Sequence, residues 1–562
     1  MSTRTSILLL AAGMGLACRA SVPVPPVSAA HGIVVAAHPE AAAIGAGVLR
    51  SGGNAIDAAV AVSLAVGVAE PYGSGLGGKL MLLYREAATG RTYAVEAMDA
   101  CGSALDVATA RRLSPDAHSY GYRSVCVPGL AAGLWAAHQR WGAKPWAQDV
   151  APAIALARNG FEVLPKTRDF FDEQWSKLRR GDPEIARLYL VAGELPAVGI
   201  RLRNEDLAKT MELLAERGRD GFYRGPVAER IAEASRRGGG AITLADLAGY
   251  QARIVDPVAA DFRGYRIVSA PPPARGASLF MPVLRAIEGD AWGSGPLRTA
   301  ASLDRIGRLW CAVARRERPL IGDSPDARAH FEQLMSPESI RAIRSEAESG
   351  GAPRSARVLE EGPCYQSPMA ATTQWIIVDG AGNIACATQS LSMHFGAGVV
   401  PPGTGVVLND SMSNFDYSDP SSSNFVAPGR RPHSTISPTI VERGGRPLFA
   451  IGVPGAARIP TAMLQALIDR LALDRPLAEA IGDTRFHIVD PERPGDGRLF
   501  EAEQSLPAEV AAGLRARGWK VALPEEAGRG RHFGGINAIE FNADGSLTGY
   551  ADPRRTNAAA GY

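Results

Sequence analysis

Apolar and polar residues follow two rhythms along this chain. Residues 41–49 and 55–68 carry Ala, Val and Leu at helical spacing, and Gly52-Gly53-Asn54 between them reads as a helix stop and restart. Residues 80–84 and 92–96 read as strands joined by a turn around Gly90, and 130–141 and 148–159 return to the helical period. Past Thr372 short strands dominate, at 374–378, 384–389, 406–408, 439–441 and 448–452, before helices at 459–471 and 507–517. Strands that bury one face and helices that cover the other predict an α/β layered fold.

The first thirty residues fit neither rhythm. Arg4 precedes a short apolar run over 7–17, and Val27-Ser28-Ala29 offers a small-residue cleavage site before Ala30, the pattern of a secretory leader. The run is too short to span a bilayer, so residues 1–30 are set apart from the fold and a periplasmic or secreted location is expected. Cys18, after Leu16-Ala17, offers lipid attachment as the alternative, although Gly15 stands where such sites favour Leu.

Composition narrows the function classes. With 562 residues, Lys+Arg 60 against Asp+Glu 58 and 46% hydrophobic residues, the chain can bury a large core and has no electrostatic reason to bind nucleic acid or an anionic membrane. Small molecules are the expected partners. Length alone suggests roughly three or four domains at about 150 residues each, yet no low-complexity break or internal repeat appears, so one composite domain is expected. The six cysteines, Cys18, Cys101, Cys126, Cys311, Cys364 and Cys386, show no CxxC spacing and no histidine at ligand spacing, which argues against zinc. Loss of Cys18 with a leader leaves an odd number, so no full disulfide framework is implied, and buried small hydrophobes are expected. No feature calls for a metal or organic cofactor. Gly73-Ser74-Gly75-Leu76-Gly77-Gly78 matches GxGxxG but follows a helix and precedes a strand, the reverse of a dinucleotide site.

The candidate chemistry lies at Ala371-Thr372-Thr373-Gln374-Trp375, where hydroxyls open an apolar strand far inside the chain. A threonine hydroxyl needs a base to attack a carbonyl. A chain cut before Thr372 would supply one, since a terminal α-amine has a pKa of about 8. For an isolated Thr-Thr pair, two β-branched residues opening a strand would be the default reading.

The flanking motifs change that reading. From Thr372 the chain runs TTQWIIVDGAGNIACATQSLSMHFGAGVVPPGTGVVLNDSMSNFD, followed by Arg431-Pro432-His433-Ser434-Thr435 and Gly452-Val453-Pro454-Gly455-Ala456. Earlier stand Gly52-Gly53-Asn54-Ala55-Ile56-Asp57 and Glu70-Pro71, and the chain closes with Asp552-Pro553-Arg554 and Gly561-Tyr562. This series resembles the gamma-glutamyltranspeptidase family of self-cleaving N-terminal-nucleophile hydrolases, over nearly everything after His31.

The resemblance implies a four-layer αββα sandwich cut between Ala371 and Thr372 into a large subunit, 31–371, and a small one, 372–562. It implies Thr372 as nucleophile, Ser390 as the hydroxyl bonded to it, and backbone N–H groups at Gly455 and Ala456 as the oxyanion hole. Ala456 replaces a family glycine, which a backbone donor tolerates if φ stays negative. His394, His433, Asp416 and Tyr417 are expected to line or border the pocket at most, and Asn409 to be a turn residue or an orienting amide.

Departures cluster at the substrate. The family arginine that pairs with the substrate α-carboxylate falls at Glu96, and the residues that hold the α-amino group become Ser392, Ser411 and Asn414, while the carboxylate-binding serine pair is Ser434 and Thr435. Loss of such a charged contact costs about 2–5 kcal/mol. The resemblance therefore implies an amide hydrolase or acyl transferase with water or an amine as acceptor and a changed acyl group, close to the acylase-like branch. Two alternatives stand beside it. One is a true gamma-glutamyl transferase and glutathione hydrolase with relocated anchors, Lys79 replacing the arginine; a solvated Lys79 is the plainer reading of that residue. The other is an uncleaved, non-catalytic relative that binds a ligand.

Overall fold

Two seven-stranded antiparallel sheets lie face to face in this computed structural model, which describes residues 25–290, 298–349, 370–489, 498–522 and 533–562. One sheet runs in the order Ala558–Gly561, Ile33–Ala36, Ala370–Val378, Ile384–Met393, Lys79–Arg85, Thr92–Ala97, Arg253–Val255. The other runs Val27–Ala29, Leu547–Ala551, Asn537–Phe541, Arg446–Gly452, Thr439–Arg443, Tyr265–Ser269, Val258–Phe262. Cys18 and Cys364 lie outside the described residues, as does most of the leader. Val27–Ala29, expected as the leader's cleavage site, pairs with Leu547–Ala551 as an edge strand.

Side-chain alternation explains the layering. Along the first sheet Trp375, Ile377, Ala385, Ala387, Val34 and Ala36 join one core with the helices Pro39–Arg50, Ala55–Ala69 and Leu130–Trp141. Their strand neighbours Ile376, Val378, Ile384, Cys386, Ile33 and Val35 point the other way and meet Ile440, Ala450 and Ile539 of the second sheet. That sheet in turn sends Val441, Phe449, Ile451 and Ala538 into a third core with Gly276–Ile287, Ala300–Glu317 and Ile459–Leu471. Period-two strands buried on both faces give the expected αββα sandwich.

Local signals set the element ends. Asn54 caps Ala55–Ala69, accepting from the Ile56 and Asp57 N–H groups while Asp57 accepts from the Asn54 N–H, a reciprocal box that restarts the helix after Gly52-Gly53. The expected strand at 406–408 is not one: among the described residues only Leu408 pairs, through an isolated bridge to Gly77. This apolar run crosses over the glycine segment rather than joining a ladder. Cys101, Cys126, Cys311 and Cys386 are buried, as expected. No described helix is long and apolar enough to cross a membrane.

The GxGxxG segment serves close approach. A Cβ on Gly77 would sit 2.0 Å from the Val407 carbonyl oxygen, and one on Gly78 2.3 Å from that of Ser390. Gly78→Ala is expected to destabilise the protein by about 1–3 kcal/mol because backbone must move. Gly47→Ala, on an exposed helix position with open space around it, should stabilise by about 0.5–1 kcal/mol. Paired urea unfolding curves check both signs.

Candidate active site

A step in strand register marks the site. Ala371 pairs with Ser392 and Thr373 with Gln389, so Thr372 alone opposes two residues of the partner strand, Ser390 and Leu391, and the irregularity falls there. The extra residue turns the partner strand, where Ser392 adopts φ 80°. Thr372 Oγ1 then lies 3.2 Å from Ser390 Oγ, which also accepts the Ser392 N–H at 2.9 Å. Both residues are buried.

A polar net holds the strand of Thr372. The Arg555 guanidinium donates to the Thr372 carbonyl at 3.0 Å, and the Thr373 hydroxyl donates to Glu70 Oε2 at 2.9 Å. Glu70 Oε1 accepts from Tyr72 and Thr556, each at 2.7 Å. Burial raises the Glu70 pKa, and the Arg555 charge opposes that shift. Glu70-Pro71 was legible as a motif, whereas Arg555 was missed: only its place beside Asp552-Pro553-Arg554 pointed to it.

Gly455 and Ala456 lie past the end of strand Arg446–Gly452, and the turn Ala456–Arg458 packs against strand Ala370–Val378. Gly455 has φ 151° and Ala456 φ 53°. The condition of a negative φ at Ala456, set for alanine to be tolerated there, is therefore not met. This alanine holds a left-handed conformation that costs about 1–2 kcal/mol, with its carbonyl fixed by the Thr435 hydroxyl at 2.8 Å. Ser434 is tied through its backbone to Pro273 and Arg275, and its side chain is partly exposed.

Lys79 overturns the solvated reading. It opens a strand buried on both faces, and its side chain is 1% exposed. Its ammonium donates to Ser392 Oγ and Ser411 Oγ, each at 2.6 Å, and to Asp99 Oδ2 at 3.2 Å. Ser411 also donates to Asp99 at 2.5 Å, and the Asn414 amide donates to Ser392 Oγ at 2.9 Å. Burial pushes the Asp99 carboxyl up to about 6, against the opposing pull of Lys79. Asp99 was not singled out from the sequence, although a lysine in an apolar strand demands a counter-charge.

Glu96 is engaged by partners outside this cluster. Both its oxygens accept from Arg431 Nη1 at 2.7 Å, Arg253 reaches it at 3.3 Å, and the Met98 N–H donates to it at 3.0 Å. Its charge is consumed within the protein because Arg431 has the same need.

The remaining candidates have supporting places. Asn409 is an orienting amide: Oδ1 accepts from the Cys126 and Ser411 N–H groups, and Nδ2 donates to Gly77 and Cys126 carbonyls. His394 packs against the Tyr72 and Phe170 rings. Burial and the Arg275 charge hold His433 neutral, well below the usual imidazole range. Tyr417 donates to the Met412 carbonyl, and Asp416 accepts loop N–H groups from Ser418 and Asp419. Asp57, His138 and Asp149 also converge among the described residues. There His138 Nε2 bonds the Lys144 carbonyl and lies 3.3 Å from Asp149, while Asp57 accepts backbone N–H groups from Asn54, Ala143 and Lys144, an arrangement of a helix-capping ion pair.

Glu96→Ala strands Arg431 and is expected to cost about 3–5 kcal/mol of stability without a selective rise in KM. Denaturant unfolding and KM measured together check this; a raised KM at unchanged stability would contradict the placement.

Comparison with known proteins accords with this geometry. The family model described as Gamma-glutamyltranspeptidase matches residues 41–562. The chain is 34% identical over 560 residues to the acylase ACY 1 proenzyme of Pseudomonas sp. (strain SE83), covering 95% of each chain. It is 30% identical over 585 residues to the glutathione hydrolase proenzyme of Escherichia coli (strain K12), covering 100% of this chain and 99% of that one. Among solved structures, cephalosporin acylase from Bacillus halodurans superposes with a TM-score of 0.84 at 26% identity, over 98% of this chain and 99% of that one. A match of family model and relatives over nearly the whole length, on an αββα sandwich with a paired Thr372 and Ser390, makes this chain a member of the gamma-glutamyltranspeptidase family.

Proposed function

We propose that this protein is an exported amide hydrolase or acyl transferase that cuts its own chain between Ala371 and Thr372 and then works through Thr372. The observation that carries the reading is the 3.2 Å contact of Thr372 Oγ1 with Ser390 Oγ at the register step. Relatives named as proenzymes of an acylase and of glutathione hydrolases support it, and the leader-like pattern of Arg4 and the apolar run over 7–17 supports export.

In the first step Thr372 Oγ1 adds to the Ala371 carbonyl carbon. The Ala371–Thr372 C–N bond breaks as the hydroxyl proton passes to the nitrogen, and water cleaves the resulting ester. The products are a carboxylate at Ala371, ending the large subunit, and a free amine and hydroxyl at Thr372, opening the small one. That amine becomes the base for turnover. Thr372 attacks the substrate carbonyl, the Gly455 and Ala456 N–H groups stabilise the oxyanion, the amine product leaves, and water or a second amine releases the acyl group. Water is the favoured acceptor. Ser390 orients the nucleophile, and Arg555 and Glu70 hold its strand.

A gamma-glutamyl transferase that uses Lys79 as its carboxylate anchor has weaker support, because the Lys79 ammonium is already given to Asp99, Ser392 and Ser411.

Thr372→Ala is expected to lower turnover of an acyl anilide by at least about 10³-fold, and Ser390→Ala by about 10²-fold. In the wild type, rapid acid quenching should trap the acyl group on the fragment that begins at Thr372. Turnover that survives Thr372→Ala, or an adduct on the other fragment, would contradict the proposal.

A further inference from the structure

Beside the nucleophile the protein keeps a cation of its own. The chain of contacts runs from Thr372 Oγ1 to Ser390 Oγ at 3.2 Å, from Ser390 Oγ to the Ser392 N–H at 2.9 Å, and from Ser392 Oγ to Lys79 Nζ at 2.6 Å. Lys79 and Ser390 are also cross-strand partners, so the ammonium and the catalytic hydroxyls share one patch of sheet. Three acceptors close on this ammonium, which has three protons to give: Ser392, Ser411 and Asp99. Its partner Asp99 is fully buried and turns the same oxygen, Oδ2, to Ser411 and to Lys79.

This arrangement has a consequence for any acyl group that Thr372 takes. Ser392 and Asn414 are only partly buried, so the patch opens towards solvent on that side. An incoming ammonium there would meet a charge of its own sign. The Ser392 and Ser411 oxygens and Asp99 Oδ2 are engaged, the Asp99 charge is paired with Lys79, and the oxygens left over, Asp99 Oδ1 and Asp410 Oδ2, belong to fully buried residues. A desolvated cation without acceptors is disfavoured strongly, whereas an acyl chain with hydrogen at the same carbon makes no such demand. The Asn414 amide and the serine hydroxyls still suit a neutral or oxygen-bearing chain.

We propose that Lys79 is a specificity-determining residue, a resident ammonium that excludes acyl groups bearing an ammonium on the carbon chain beyond the scissile carbonyl and selects acyl amides without one. The inference rests on the reading of Thr372 as nucleophile, and it adds the chemical class of substrate. Asp99 positions Lys79 by holding its charge in a buried place.

Two p-nitroanilides differ only in this feature: γ-L-glutamyl-p-nitroanilide carries the α-ammonium at pH 7, and glutaryl-p-nitroanilide carries hydrogen. The wild-type protein is expected to cleave the glutaryl compound with a kcat/KM higher by about tenfold or more. Lys79→Ala empties the position and uncovers Asp99, so the ratio should move towards the γ-glutamyl compound by about tenfold or more. Lys79→Arg, which keeps a cation, should keep the wild-type order. Binding of glutarate and of L-glutamate to the wild type, by calorimetry, gives the same comparison without a variant and without turnover. Tighter glutarate supports the inference even if neither anilide is cleaved, in which case the failure belongs to the proposed reaction. Equal or tighter L-glutamate, binding of neither acid, preferential γ-glutamyl cleavage by the wild type, or an unmoved ratio in folded Lys79→Ala would each overturn it.

Discussion

The antiparallel pairing of strand Ala370–Val378 with Ile384–Met393 is the constraint on which the rest depends. Both strands are central in their sheet, and their alternating side chains feed the helical core on one face and the inter-sheet core on the other. A one-residue slip would send Trp375 and Ile377 to the wrong layer, so register is held tightly along the ladder. Irregularity is therefore confined to the end, where one extra residue opposite Thr372 turns Ser390 towards its hydroxyl. A rigid ladder that ends in a local step is a natural way to place two hydroxyls within reach of each other.

Buried charge organises what surrounds that step. Lys79 with Asp99, Glu96 with Arg431, and Glu70 with Arg555 are each compensated inside the protein. Compensation matters because an unpaired charge at such depth is expensive, and a pair once formed has little left to give a ligand. The candidate site is thus defined as much by charges already satisfied as by those on offer. Glu96 and Lys79 differ in sign but share this fate, the first turned to Arg431 and the second turned to the serines beside Thr372.

Long periodic segments were the most legible part of the fold. The Ala- and Val-rich runs around Gly52-Gly53 became two helices with a reciprocal cap, and the strands on both sides of Thr372 became the heart of a sheet. Residues 406–408 misled because an apolar triplet looks the same whether it joins a ladder or only crosses one. At the site, the sequence carried Thr372, Ser390 and the Gly455-Ala456 turn through their motifs. It could not carry partners. Asp99 lies 20 residues from Lys79 and Arg555 lies 183 from Thr372, so only the folded chain shows that they meet. The sign of φ at Ala456 was likewise set by tertiary packing, against the intrinsic preference of alanine.

On the proposed reading, this chain makes its own nucleophile by breaking one peptide bond. Intact mass with N-terminal sequencing of the purified protein, with Thr372→Ala beside it, tests that most directly. The account predicts two fragments in the wild type, the smaller beginning at Thr372, and an uncleaved variant. A single intact wild-type chain, or a fragment beginning at any other residue, would contradict it.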